Sequence, residues 1–261
     1  MTGVARWVWL GVAALLCAAA GVFAASLTTP DKDTRAEPTT VRVTVTVTAH
    51  PSAAPAPVSS PMGINLAEHS VDDPASIWVV VNKRRPLDPQ TYVPKELTTL
   101  SVPGGGQMTS VAAKALKAMY TAAKEDGAPF RASTAYRSYN FQKGLFSTYV
   151  AKSGVKKAET FSARPGYSEH QTGLTVDVYD PKGCHLDTCY ATTASGTWLA
   201  KHAADYGFIE RYPKGGTAIT GYTWEPWHWR YVGVELARYM RDEHIATLEE
   251  VFGLPAAPDY D

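Results

Sequence analysis

The chain has 261 residues, enough for one ordinary domain with an appendage or for two small ones. Lysine plus arginine and aspartate plus glutamate each number 25, so the formal net charge is zero and no overall basic field exists to hold nucleic acid. The 7 tryptophans and 14 tyrosines supply material for a packed core and for an aromatic-lined cleft.

Residues 7–27 read WVWLGVAALLCAAAGVFAASL, an uncharged apolar run with Arg6 just before it. A helix needs about 20 such residues to cross a bilayer, and this run meets that length. Two readings stay open: a retained signal anchor with Arg6 on the cytoplasmic side, or a signal peptide cleaved after Ala24. Either exports the remainder, and the anchor places the protein in the cell membrane with its domain outside. Residues 28–61 are rich in Thr, Pro, Ala and Val and contain no aromatic residue. Their VRVTVTVTAH stretch alternates like a strand but has no partner, so the segment reads as an extended linker stiffened by Pro51, Pro55, Pro57 and Pro61. Such a tether holds a domain away from the membrane, within reach of a cell wall.

The folded domain spans 62–261. Residues 78–81 read as a short strand. Residues 108–126 have helical spacing, with Val111, Ala115, Leu116 and Met119 on one face and Gly127 as the stop. A strand at 130–136 and a helix at 140–152, ended by Gly154, follow. Residues 174–179 alternate strictly, with Leu174, Val176 and Val178 on one side and Thr175, Asp177 and Tyr179 on the other. A helix at 197–206 is stopped by Gly207. Strands at 208–212 and 228–232 and helices at 235–244 and 246–252 complete the domain. Strands and helices mix without a regular βαβ repeat, which predicts an α+β fold with a small, mainly antiparallel sheet.

Three cysteines are present. Cys17 lies in the apolar N-terminal run. Cys184 and Cys189 flank a turn-rich stretch and would close a tight loop in an oxidising compartment. The alternative is a metal clip of Cys184, His185 and Cys189, although no second cysteine pair completes a structural zinc site.

Chemistry concentrates in two segments. Asp177 sits within an apolar run, where a carboxylate needs a cation, a metal or several donors. His170, in YSEHQTG, lies on a turn broken by Gly173 and feeding that strand, so the two side chains can converge. In EPWHWRY, strand alternation puts His228 and Arg230 on one face and Trp227, Trp229 and Tyr231 on the other. Pro226 opposes a helix interior there, so Glu225 sits just before the strand and can reach past His228. Two histidines and a carboxylate make three ligands, and a catalytic zinc site commonly leaves its fourth position to water. Zinc lowers the pKa of that water, and Glu225 beside it would take the proton. Arg137, in TAYRSYNFQ, is a candidate to stabilise the oxyanion. Bland alternatives stand beside these: an Asp177–Arg230 ion pair, Glu225 as a strand-entry cap, and Arg137 as a surface residue. His50, His69, His185, His202 and His244 read as structural histidines.

SEHQTGLTVDV resembles the Ser-x-His-x-x-Gly-x-x-x-Asp signature of the VanY-like D-alanyl-D-alanine carboxypeptidases. EPWHWRYVG is similar to their Glu-x-x-His signature with its following arginine. STAYRSYNFQ and VVNKRRPLDPQTYVPKEL resemble two further blocks; the resemblance covers nearly all of 76–240, and its four blocks stand in the family's order. The resemblance implies a zinc carboxypeptidase acting on peptidoglycan stem peptides. It makes His170, Asp177 and His228 the Zn2+ ligands, Glu225 the base, Arg137 the transition-state stabiliser, and Ser138, Gln142 and Ser168 substrate contacts. Thr175 departs from the family's usual alanine; on Asp177's face, it is expected to hydrogen-bond that carboxylate. D-Ala-D-Ala is the favoured bond, with an L,D-carboxypeptidase on tetrapeptide stems as one alternative and a non-catalytic zinc domain binding wall peptides as another. The protein is expected to act as a monomer, with the membrane contacted only through its N-terminal helix.

Overall fold

A computed structural model describes residues 63–260. The apolar run 7–27 with Cys17, the linker 28–61 and Met62 lie outside the described residues. Among the described residues, no helix is long and apolar enough to cross a membrane.

The elements in chain order are β1 (Thr98–Thr99), β2 (Gln107–Met108), α1 (Ser110–Glu125), β3 (Arg131–Thr134), α2 (Tyr139–Ser153), α3 (Val155–Ala158) and β4 (Thr175–Tyr179). They continue with α4 (Ala194–His202), β5 (Phe208–Glu210), α5 (Thr217–Thr220), β6 (His228–Tyr231), α6 (Val234–Asp242) and α7 (Leu248–Val251). β1 and β2 form a small antiparallel ribbon, and the main sheet runs β3-β4-β6-β5 with every neighbouring pair antiparallel. The α+β class and the antiparallel sheet therefore match the expectation from sequence.

Alternation along β4 sorts its side chains as the pattern predicts. Val176 and Val178 enter the main core with Leu116 and Met119 of α1, Leu199 of α4 and Trp229 of β6. Thr175 and Asp177 face the other way. The register then fixes the site, because Asp177 lies opposite His228 and Thr175 opposite Arg230 across the β4–β6 pair. Directly opposed residues in an antiparallel pair share a face, so these four side chains stand together.

Three local expectations need correction. The α1 stripe is rotated: Ala112, Leu116, Met119 and Ala123 are buried while Val111 is 46% exposed. Alanines carry the tight face against the sheet, and apolarity alone overweights valine. Residues 78–81 belong to no strand: Trp78 lies in a turn in which the Val79 N–H donates to the Ser76 carbonyl at 3.3 Å, and 79–81 carry no regular structure. Their side chains are buried on both sides, Val79 and Val81 in the main core and Trp78 and Val80 in a second core with Val232, Leu236, Met240 and Leu248. In place of a neighbouring strand, the Arg230 guanidinium donates to the carbonyls of Ile77 (3.0 Å) and Val79 (2.8 Å). Thr175, finally, makes no hydrogen bond to Asp177; its buried hydroxyl has no partner.

α2 differs from α1 in purpose. Its cap is Ser138, whose side chain accepts from the Phe141 N–H at 3.2 Å, and it ends at Gly154 with φ 78°. Gln142 is its one fully buried residue, while Leu145 and Tyr149 line the cleft described next. The helix is a cleft rim rather than a core element.

Candidate metal centre

His170 sits in a 3-10 turn, Glu169–Thr172, that closes on Gly173 at φ 70° and leads directly into β4. Only glycine takes that backbone conformation without penalty, and a Cβ there would also come within 3.0 Å of Leu97 Cδ2. The turn aims His170 at the sheet face where Asp177 and His228 already stand side by side. Nε2 of His170 lies 3.3 Å from Asp177 Oδ2, and Nδ1 of His228 lies 3.2 Å from Asp177 Oδ1. One ligand atom from each of the three residues falls within 4.8 Å of the others.

The two nitrogen–carboxylate distances are close to those around a zinc ion. Bonds of about 2.0–2.2 Å in a tetrahedron place neighbouring ligand atoms about 3.3–3.6 Å apart. The buried atoms His170 Nε2 and Asp177 Oδ1 also have no hydrogen-bond partner, an arrangement that is costly unless something cationic completes it. Each histidine turns its remaining nitrogen to an acceptor, as metal-bound imidazoles commonly do. His170 Nδ1 lies 2.7 Å from the Ala135 carbonyl, and His228 Nε2 faces Glu169 Oε2 at 3.6 Å. His170 is thus set to bind through Nε2 and His228 through Nδ1.

Glu225 precedes β6 in a tight turn in which the His228 N–H donates to the Glu225 carbonyl at 3.0 Å. Its Oε2 lies 3.5 Å from His228 Nδ1, beside the His170–Asp177–His228 cluster rather than within it. Burial, reinforced by the Asp177 charge, pushes the Glu225 carboxyl up to about 8 against the pull of His228 and Arg137. Burial and then the Arg137 charge bring His170 down to about 4, which keeps it neutral. Burial lowers His228 too, but the carboxylates of Asp177, Glu169 and Glu225 outweigh it and raise it to about 9. For Asp177, burial alone would raise the carboxyl; the two histidines outweigh it and hold it well below the usual range.

Glu169 is the residue that sequence reasoning missed. It is fully buried, and its Oε1 accepts from Arg211 Nε and Arg230 Nη1, both at 2.8 Å. Arg211 in turn forms a two-pronged pair with Glu249 (2.7 and 2.9 Å), whose Oε1 also accepts from Asn82 at 2.9 Å. Burial would raise the Glu169 carboxyl, yet Arg211, Arg230 and His228 hold it far below its ordinary range. Arg230 therefore belongs to this support behind His228. It neither pairs with Asp177 nor lines the cleft. The available signal was the carboxylate of Glu169 directly beside His170, and Arg211 lying between Ile209 and Tyr212 in FIERY.

The ligand cluster opens onto a cleft of about 400 Å³. Arg137, Ser168 and Glu225 line it, together with Tyr212, whose ring packs 4.7 Å from that of His228. Arg137 is tied to the site through its backbone N–H, which donates to the His170 carbonyl at 3.2 Å, and its buried Nε has no hydrogen-bond partner. Ser138 and Gln142 stand behind the wall. Ser138 caps α2, and the Gln142 amide donates to the Ala163 carbonyl at 2.7 Å and to Ser162 Oγ at 3.4 Å, two residues that do line the cleft. Cys184 and Cys189 are joined by a disulfide, which removes both thiols from the alternative metal clip.

The family model described as VanY, D-alanyl-D-alanine carboxypeptidase, matches residues 105–234. The Bacillus subtilis protein YodJ is 40% identical over 191 residues, which make up 70% of this chain and 69% of YodJ. Two solved structures are also similar. The LdcB LD-carboxypeptidase aligns with a TM-score of 0.65 at 41% identity, covering 69% of this chain and 87% of its own. The vancomycin-resistance D,D-pentapeptidase VanY of a VanB-type cassette, a point mutant in complex with Zn(II), aligns with a TM-score of 0.57 at 34% identity, covering 66% and 96%.

Proposed function

Because this chain belongs to the VanY D-alanyl-D-alanine carboxypeptidase family of zinc-dependent enzymes, we propose that it removes the C-terminal D-alanine from peptidoglycan stem peptides, with D-Ala-D-Ala as the bond cut. The observation that carries the reading is the convergence of His170, Asp177 and His228 on one point with Glu225 beside it. Zinc held by those three residues supplies Lewis-acid chemistry, lowering the pKa of a water and polarising the scissile carbonyl. Glu225 takes the proton of the attacking water and delivers it to the leaving amine. A carboxyl raised by burial is suited to both halves of that transfer. Arg137 offers its guanidinium to the oxyanion, and Ser168 contacts the peptide from the cleft wall. Ser138 and Gln142 act from behind, one by capping α2 and the other by fixing residues 162–163.

Two observations bear on the penultimate residue and point in opposite directions. The carboxylates that line the cleft are Glu169, Asp177 and Glu225, all committed to the metal centre, and the remaining wall is aliphatic, aromatic and hydroxyl-bearing apart from Arg137. A charged penultimate side chain finds no acidic partner there, which favours the small methyl of D-alanine. The similarity to LdcB, an LD-carboxypeptidase, is higher than that to the D,D-pentapeptidase, and favours the L,D-bond of a tetrapeptide stem as the second reading. The test is to incubate zinc-loaded protein with a pentapeptide stem and, separately, a tetrapeptide stem, and to follow each by mass spectrometry. Loss of one alanine from the pentapeptide alone supports the first reading and from the tetrapeptide alone the second. Loss from neither sinks both.

We further propose that the domain works outside the cytoplasmic membrane, anchored by or released from residues 7–27. The Cys184–Cys189 disulfide supports this, since such bonds persist in oxidising compartments.

A further inference from the structure

β4 ends at Tyr179, and the chain then makes a short excursion tied off by the Cys184–Cys189 disulfide. Its base is fixed by Asp180, whose N–H donates to the Cys184 carbonyl (3.1 Å) and whose carboxylate accepts from the Lys182 N–H (2.7 Å) and the Ser195 hydroxyl (3.2 Å). His185 is pinned outward, with its ring 4.5 Å from that of Tyr179 and its Nε2 3.2 Å from Ser133 Oγ. The next residue, Leu186, has φ 48° and is the one residue of this excursion that lines the metal-centre cleft.

A leucine in left-handed backbone is uncommon. Such strain persists where the surroundings over-determine it. Here the disulfide ties both ends of the loop, and His185, the residue before the strained one, is held by Tyr179 and Ser133. The result is a half-buried aliphatic side chain carried into a cleft that also contains Leu145, Tyr149 and Phe161. Glycine or asparagine would satisfy the backbone more cheaply. What leucine adds is apolar surface, and that surface gains free energy when a ligand covers it.

We propose that Leu186 is a specificity-determining wall of the peptide cleft, packing on an aliphatic part of the bound stem peptide, and that the Cys184–Cys189 disulfide acts by holding it there. This rests on the proposed reading of the cleft as a stem-peptide site. The test measures pentapeptide and tetrapeptide affinity by calorimetry in the zinc-loaded full chain carrying Glu225→Gln, which suppresses turnover. Leu186→Ala is expected to weaken binding of the preferred peptide about tenfold, consistent with uncovering part of a leucine. Cys184→Ser with Cys189→Ser is expected to weaken it similarly, and the triple variant, with all three changes added to Glu225→Gln, no further, because both changes remove one contact. Zinc content should be unchanged throughout, which a general loss of structure would not allow. Unaltered affinity in Leu186→Ala overturns the proposal while leaving the stem-peptide reading standing. Multiplying effects in the triple variant overturn the role given to the disulfide. Absence of any peptide binding before Leu186 is changed overturns both the wall and the reading beneath it.

Discussion

Replacing Glu169 by glutamine should cost more stability than any change at the protein surface. The substitution keeps the shape of the side chain and removes its charge. Two fully buried guanidiniums then lose the carboxylate they share. Arg211 retains its paired bonds to Glu249, but Arg230 retains only the carbonyls of Ile77, Val79 and Tyr231. Removing one partner of a buried ion pair costs about 3–5 kcal/mol. For a domain of this size each kcal/mol lowers Tm by about 2–4 °C, so a fall of about 6–20 °C is expected near pH 7. The folded Glu169 carboxyl is held below its ordinary value of 4.5. Its contribution is therefore fully present above that value and fades as pH falls from there toward the folded pKa. Thermal unfolding of metal-free wild type and Glu169→Gln, followed by circular dichroism from about pH 7 down to about pH 3, tests both parts. A Tm difference below about 2 °C at neutral pH, or a gap that fails to narrow in acid, would show that Glu169 does not hold the two guanidiniums as a charged partner.

Glu225→Gln should lower kcat by about 10²–10⁴-fold on the preferred stem peptide while leaving zinc content unchanged; steady-state kinetics with metal analysis checks this, and near-normal turnover would remove Glu225 from the chemistry. Zinc binding to metal-free protein at pH 7 should release about one proton from His228, whose ring is raised to about 9, plus a further share from Glu225, raised to about 8. His170, lowered to about 4, should contribute none. Calorimetry in two buffers of different ionisation enthalpy counts the protons, and a count near zero would contradict the charge arrangement at the site.

What could be read from the sequence follows from the range of the interactions involved. The alternation of Leu174, Val176 and Val178 against Thr175 and Asp177 is local, and it gave the correct faces of β4. The same rule put His228 and Arg230 on a common face of β6. The β4–β6 register is non-local and appears in neither segment alone, yet it is what brings Asp177 beside His228. The Glu169 cluster was missed for the same reason: its partners lie 42 and 61 residues away in Arg211 and Arg230. Residues 78–81 looked like a strand because apolar side chains alternate between two buried sides. Two cores produce that pattern here, with Arg230 taking the place of a pairing strand. Gln142 entered as a substrate contact through resemblance, and its burial against Ala163 became visible only in three dimensions.

Whether one zinc ion sits among His170, Asp177 and His228 is decided by anomalous X-ray scattering at the zinc edge from crystals of the zinc-loaded protein. A single peak is expected about 2.0–2.2 Å from His170 Nε2, His228 Nδ1 and one Asp177 carboxylate oxygen. Glu225 should stand outside that set of ligands. A peak elsewhere in the domain, or one with Glu225 in place of Asp177, would contradict this coordination.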